Sequence, residues 1–382
     1  MTKVEDVWWL LRAQVKARPS EPCPLAEAAG RVLREDVRAL EDQPPFDRSA
    51  VDGFVVMVAD ASASFEVIGE LRAGDWRPGV IPAGAALRIA TGGAVPCEGC
   101  EVVMVEDAVQ EAGRVRFLRR GRNHIRRRGE DSRAGSVVVQ AGTVVGSGVA
   151  GLMASVGCTE PRVSATPSLL HVATGNEILA PEQPPAPGQV RDANSSLVRA
   201  WALQRGITPC QAHVVEDAAA LAAVIAGSRD ILLISGGASV GVHDTTAEVL
   251  REAGFDLLVT KVDVRPGKPL IVARRGDEWA LGLPGNPLSH FVCLHVFGDA
   301  LLAAMLGRGP QPEVRRGLAT GACAANARET WWPAFEDAGG LHPLAWTSSG
   351  DLTSLARANA LLRVPRDSGL AAGASAEFIR VS

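Results

Sequence analysis

The sequence predicts a multi-domain protein of the α/β plus β class. Three observations carry that expectation. The chain has 382 residues, too many for one ordinary core. Short strands and turns fill the text from Phe54 to about Val139, and strand–helix alternation runs from Ser168 to Leu306.

Val4 to Lys16 carries apolar residues at helical spacing, with Val4, Val7, Trp8 and Leu11 on one face. Trp8 and Trp9 both read as packing residues, and Leu25 to Val37 reads as a second helix. The segment EDQPPFDRSAVDGF then breaks the period: Pro44 and Pro45 stiffen it, and Asp47, Ser49 and Asp52 place polar groups on a non-helical stretch, at least the first two of which also suit plain turn or cap roles. FEVIGEL, ALRIATGG, CEVVMVEDAV, RVRFLRR and SVVVQAG follow at the spacing of a small β domain. Thr143 to Ser155 returns to helical text, which makes the β domain an insertion in a helical or mixed stem. Beyond Ser168, strands separated by helices imply parallel pairing with helices on both faces. Short strands after Pro312 form a last β domain. The boundaries expected are 1–50 with 140–166 for the N-terminal helices and stem, 51–139 for the inserted β domain, 167–308 for the α/β domain and 312–382 for the C-terminal β domain.

Bulk composition removes several function classes. With 39 Lys and Arg against 43 Asp and Glu, a general nucleic-acid binder is not expected. No apolar run reaches membrane-spanning length without interruption, and the N-terminus lacks a signal-peptide layout, so a cytoplasmic protein is expected. Seven cysteines are scattered, not arranged as a disulfide framework. Cys97 and Cys100 form a CxxC with no second pair or histidine pair nearby, short of the four ligands of a structural zinc. The basic run from Arg119 to Arg128 meets Glu130 and Asp131 at once, which reads as a self-neutralised turn or a local anion clamp.

The chemistry concentrates in DILLISGGASVGVHD. A buried strand from Ile231 to Ile234 runs into Ser235, Gly236, Gly237, Ala238 and Ser239, whose small side chains let backbone N–H groups approach an anion. Asp244 follows, and an acid beside an anion turn calls for a metal ion or a cation. A tight turn needing glycine only for backbone freedom is the alternative. KVDVRPGKP adds Lys261, Arg265 and Lys268, and GLPGNPLS adds Pro284, Asn286 and Pro287 before a helix. Glu177 in ATGNE follows another strand, while Asp192 and Ser195 also suit simple N-capping. His171 and His295, in apolar runs, read as satisfied packing residues. The set suits metal-assisted phosphoryl chemistry.

PPFDRSAVDGF, RIATGG, NHIRRRGED, ATGNE, DAN, SGGASVGVHD, RPGKP and GLPGNP occur in the order found in molybdopterin molybdenumtransferases, the MoeA and gephyrin E-domain family, which this chain resembles. The resemblance implies a three-layer molybdopterin-binding-type α/β domain, an inserted β domain, a stem and a C-terminal β-barrel-like domain. It implies insertion of molybdate into adenylylated molybdopterin with release of AMP, dependent on Mg2+. Carried over by position, Asp52, Thr91, Asp131, Glu177 and Asp244 are the functional acids and hydroxyl, with Asp244 and Glu177 on the metal. Ser235, Gly236, Gly237, Ser239, Lys261, Arg265, Lys268, Pro284, Pro287 and Ser349 bind the anionic substrate. The resemblance also implies a homodimer whose subunits share each site, with molybdopterin adenylyltransferase and molybdoenzyme chaperones as further partners. Three departures stand out: Asn176 where the family often has Asp, Arg265 where Lys is usual, and Pro333 where relatives carry an arginine that helps hold molybdate. A divergent pterin- or nucleotide-binding scaffold or carrier, and a molybdopterin adenylyltransferase, are the competing readings.

Overall fold

The four strands Cys210–Val214, Leu169–Thr174, Ile231–Ser235 and Glu278–Leu283 lie side by side and parallel. Two more strands, Ile271–Arg275 and Asp256–Val259, extend this sheet with antiparallel pairings. A computed structural model describes residues 1–215, 217–236, 242–309 and 312–381, with only the helical backbone of 242–245. The central strands are apolar on both faces, because helices cover both. One apolar cluster joins Val198, Trp201, Leu233, Leu281 and the Pro287–Met305 helix. The other joins Val172, Leu221, Ile234 and Leu250 on the opposite face. That 19-residue helix meets the length and hydropathy of a membrane span, yet 83% of its apolar stretch is buried in the protein.

The chain divides into two compact units, Met1–Glu21 with Ser164–Ser382, and Pro22–Val163. One consequence departs from the expected organisation. The Val4–Gln14 helix belongs with the α/β core and not with a stem: Val4, Val7, Trp8 and Leu11 are buried there. The Trp8 indole donates to the Val296 carbonyl at 2.9 Å and packs edge-on against Trp331. Trp9, one position round the helix, is 71% exposed and packs against nothing in this core. The C-terminal strands keep a core of their own, around Ala334, Leu341, Leu362 and Phe378, and also pack on the α/β domain. Val264–Arg265 pairs in parallel with the start of the Glu329–Asp337 strand, and Gly340–Pro343, Ala360–Val364, Ser375–Arg380 and Arg315–Leu318 complete that six-stranded sheet. Trp331, Leu361 and Ile379 join the α/β cluster.

In the second unit the expected strands form one sheet in the order Cys100–Met104, Gly53–Met57, Ala85–Ile89, Phe65–Leu71, Arg114–Phe117, Ala108–Glu111. The strand Val137–Val139, expected with them, pairs instead with Val37–Arg38. Its neighbours are Leu33, Met153 and Val163, around the Ser147–Ser155 helix. The helix expected from Leu25 to Val37 is only a 3-10 turn at Leu25–Glu27. Val32 and Leu33 bridge to Val144 and Val163, and long-range pairing overrides the local helical preference.

Candidate active site

The carboxyl edge of the parallel sheet builds the first half of the site. Gly236 follows the Ile231–Ser235 strand with φ +112°, and a Cβ there would stand 2.0 Å from the Thr174 carbonyl oxygen of the neighbouring strand. Only glycine permits that approach. Past Gly175, the two-residue strands Ile178–Leu179 and Val190–Arg191 pair and bring Glu177 near Asp192. Asp192 caps the Ala193–Leu203 helix, accepting from the Ser195 amide at 2.8 Å and the Ser195 hydroxyl at 2.5 Å. The Asn194 amide donates to the Gly285 carbonyl at 2.8 Å and so ties this helix to the GLPGNP loop. Glu177, Asp192, Asn194, Gly236, Asn286 and Pro287 line a cleft of about 580 Å³.

A second cleft of about 350 Å³ adjoins the first, and Asn286 lines both. Arg265, Lys268 and Arg328 supply its cations, beside Pro284, Trp346 and Ser349. Pairing of Val264–Arg265 with Glu329–Thr330 sets Arg328 beside the RPGKP loop, and its guanidinium donates to the Val264 carbonyl at 3.1 Å. The Arg265 guanidinium lies 4.9 Å from the Trp346 ring centre, a stacking that a lysine would not reproduce. Gly267, at φ +121°, is required because a Cβ would meet the Cys293 sulfur at 2.5 Å. The Asn286 side chain donates to the Ser349 hydroxyl at 2.9 Å, which fixes the wall between the clefts. Lys261, expected beside these cations, is exposed and lines neither cleft.

Arg328 also revises the reading of Pro333. Pro333 sits in mid-strand, buried and opposite Leu361, and lines neither cleft. The cleft draws its C-terminal guanidinium from Arg328, five positions earlier. Sequence reading missed Arg328 because only pairing across the chain brings it to the RPGKP loop.

Behind Gly236 lies a buried polar chain that the sequence concealed. The Gln211 amide donates to His171 Nδ1 at 3.2 Å and to the Ser195 carbonyl at 2.8 Å. With Nδ1 accepting, His171 Nε2–H donates to the Ser235 hydroxyl at 2.7 Å, and that hydroxyl donates to His290 Nε2 at 2.6 Å. The Ser235 hydroxyl is therefore committed inward, and toward a ligand this residue offers only its backbone. Burial keeps both imidazoles neutral, pushing His171 down to about 4 and His290 to about 3, with the neighbouring His171 adding to the latter. Asp192 weakly opposes the shift at His171.

A depressed histidine pKa means that the unfolded chain holds the extra proton between the two values. The His290 contribution is therefore complete above about pH 6.5 and declines as pH falls toward 3. Gln at position 290 keeps a partner for Ser235 and cannot titrate. The stability gap between wild type and His290→Gln, measured by urea denaturation, is expected to narrow by about 2 kcal/mol from pH 7.5 to pH 5. A pH-independent gap would show that this imidazole is not held neutral.

In the second unit, the Asp52 carboxylate accepts from the Thr91 amide at 2.7 Å and the Thr91 hydroxyl at 2.9 Å. These bonds hold the carboxyl below its usual range, the amide contributing most, so Asp52 is an exposed anion at neutral pH. Asp131 pairs with Arg126, which also binds Glu130 at 2.5 Å. Other arginines of the basic run pair outside it: Arg120 with Glu101, Arg127 with Asp47, and Arg128 with Asp42. Asp52→Asn preserves size and still accepts from Thr91, so turnover is expected to fall about 100-fold with an unchanged melting temperature. Wild-type turnover would remove Asp52 from the catalytic set. Gly237, Ser239 and the Asp244 side chain lie outside the described residues.

Among the described residues no three His, Cys, Asp or Glu side chains cluster as a metal site. A magnesium ion still fits, because it binds through one or two carboxylates and takes its remaining oxygens from water and substrate phosphates. Glu177, exposed in the first cleft, is a suitable carboxylate for it.

Comparison with known proteins agrees along the chain. Residues 2–157 match the MoeA N-terminal region (domains I and II), residues 171–304 a probable molybdopterin binding domain, and residues 317–381 the MoeA C-terminal region (domain IV). The molybdopterin molybdenumtransferase of Bacillus subtilis is 34% identical over 308 residues, covering 76% of this chain and 72% of that protein. The enzyme of the same name from Nostoc is 32% identical over 375 residues, covering 91% and 85%. The crystal structure of a molybdopterin biosynthesis MoeA protein from Pyrococcus horikosii superposes with a TM-score of 0.81 at 26% identity, covering 100% of this chain and 99% of that one. With a fold, a paired cleft and relatives in agreement, the chain belongs to the molybdopterin molybdenumtransferases, transferases of molybdenum cofactor biosynthesis.

Proposed function

We propose that the chain inserts molybdate into adenylylated molybdopterin with hydrolytic release of AMP. The observation that supports it is the pair of adjoining clefts of opposite character. One carries Glu177 and Asp192 with the single cation Arg191, the other Arg265, Lys268 and Arg328 with no acid, and Asn286 lies on both. An elongated pterin nucleotide with a phosphoanhydride at its middle, delivered to a tetrahedral oxyanion, needs such a division. In this reading the cations and Ser349 hold molybdate while the two dithiolene sulfurs bond to molybdenum, their two protons leaving with one molybdate oxygen as water. Glu177, with Asp244, would hold a magnesium ion, which would offset charge developing on the cleaved phosphate. The backbone at Gly236 lets the phosphate approach the sheet edge. The full substrate set retains Thr91, Pro284, Pro287 and the Ser235–Ser239 turn as binding positions.

We take the working form as a cytoplasmic homodimer in which Asp52 and Asp131 of one subunit serve the cleft of the other, with molybdopterin adenylyltransferase and molybdoenzyme chaperones as its protein partners. The scaffold reading rested on loss of an arginine, and Arg328 answers that loss. Incubating the purified protein with adenylylated molybdopterin and magnesium, with and without molybdate, separates the readings. Molybdate-dependent AMP release is expected; AMP release indifferent to molybdate, or none, would overturn the proposal.

A further inference from the structure

The CxxC motif takes no part in either cleft, yet its sulfur atoms are not isolated. Met57, the last residue of the Gly53–Met57 strand, is the cross-strand partner of Cys100. The intervening turn returns Cys97 to the same place. The Cys97 and Cys100 sulfurs lie 3.5 Å apart, and the Met57 sulfur lies 3.8 Å from each. Gly99, at φ +77°, leaves room for the thioether: a Cβ there would stand 3.3 Å from the Met57 methyl. Cys100 is buried, whereas Cys97 and Met57 are half-buried, so an ion in solution has access from one side.

We infer that Met57, Cys97 and Cys100 form a binding site for a soft monovalent d10 cation, with copper(I) as the physiological class. The circumcentre of the sulfur triangle lies about 2.1 Å from each corner, near the roughly 2.3 Å of a metal–thiolate bond. On binding, the Cys97 and Cys100 thiols would release their protons to solvent, and the resulting two thiolates with a thioether select copper(I) over hard ions. A structural zinc would want a fourth ligand, and no cluster of three His, Cys, Asp or Glu exists among the described residues. A bare dithiol switch is the weaker account, because it would give the thioether no role. Closing a disulfide would also bring the two sulfurs to about 2.05 Å and need an oxidant.

The test is anaerobic titration of the reduced full-length protein with copper(I) against a chromophoric chelator, with X-ray absorption at the copper edge. One ion per chain is expected, with three sulfur neighbours near 2.3 Å. Affinity should fall about 100-fold in Cys97→Ser and about 10-fold in Met57→Leu, while Cys158→Ser and Cys210→Ser leave it unchanged. Met57→Leu conserves volume, so a wild-type melting temperature without copper excludes a folding defect. Failure to compete with the chelator, copper binding indifferent to Met57 and Cys97, or a copper edge with only two sulfur neighbours would overturn the assignment.

Discussion

Arg328→Ala is expected to lower molybdate-dependent turnover about 100-fold while leaving the sheet intact, because it removes the charge-assisted hydrogen bonds of one of the cleft's two guanidinium groups. The residue lines the cationic cleft with Arg265 and Lys268 and reaches the Val264 carbonyl. Arg328→Lys should recover part of the loss: charge returns, but a point charge does not supply two parallel donors. The companion variant Pro333→Arg sharpens the test. Position 333 is buried in mid-strand, so arginine there should damage folding without improving activity. Saturation curves in molybdate, taken for all three variants, check the assignment. Full activity in Arg328→Ala would contradict it.

Gly236→Ala should be among the most damaging small substitutions at the described glycines. Its Cβ would stand 2.0 Å from the Thr174 oxygen, at a φ of +112° that side chains rarely adopt. Two central parallel strands would have to separate, so roughly 3 kcal/mol or more of stability should be lost. The Ser235 hydroxyl sits one residue earlier between His171 and His290, and displacing the strand end would break that chain as well. Urea denaturation and cleft titration with AMP provide the two readouts. A wild-type midpoint would show that the sheet edge yields more readily than its packing implies.

Much of this molecule was legible in its residues, for a definite reason. The βα alternation from Ser168 is local: apolar runs, small-residue turns and helical spacing each occupy one stretch of text. The same holds for the N-cap at Asp192 and the short strands after Phe54. What escaped notice depends on contacts distant along the chain. Arg328 becomes a cleft residue only because Val264–Arg265 pairs with the strand that follows it. Val137–Val139 looks like its β-domain neighbours but pairs with Val37–Arg38, a choice no local pattern encodes. His171 sits in an apolar run and reads as packing, and nothing in the local text marked His290. The one signal was that a polar ring buried on all sides needs a partner, and Ser235 supplies it to both. The N-terminal helix shows the same limit: its buried face was clear from spacing, but the surface that covers it was not.

The central claim is that the acid-lined and cation-lined clefts act together on one anionic substrate, with Arg265, Lys268 and Arg328 taking its oxyanion. A crystal of the protein grown with AMP, magnesium and molybdate, with data collected at the molybdenum absorption edge, tests it most directly. The account predicts a molybdenum peak within hydrogen-bonding reach of Lys268, Arg328 and Ser349, and AMP in the cleft that holds Glu177 and Gly236. A molybdenum peak away from all three cations, with AMP bound outside both clefts, would contradict it.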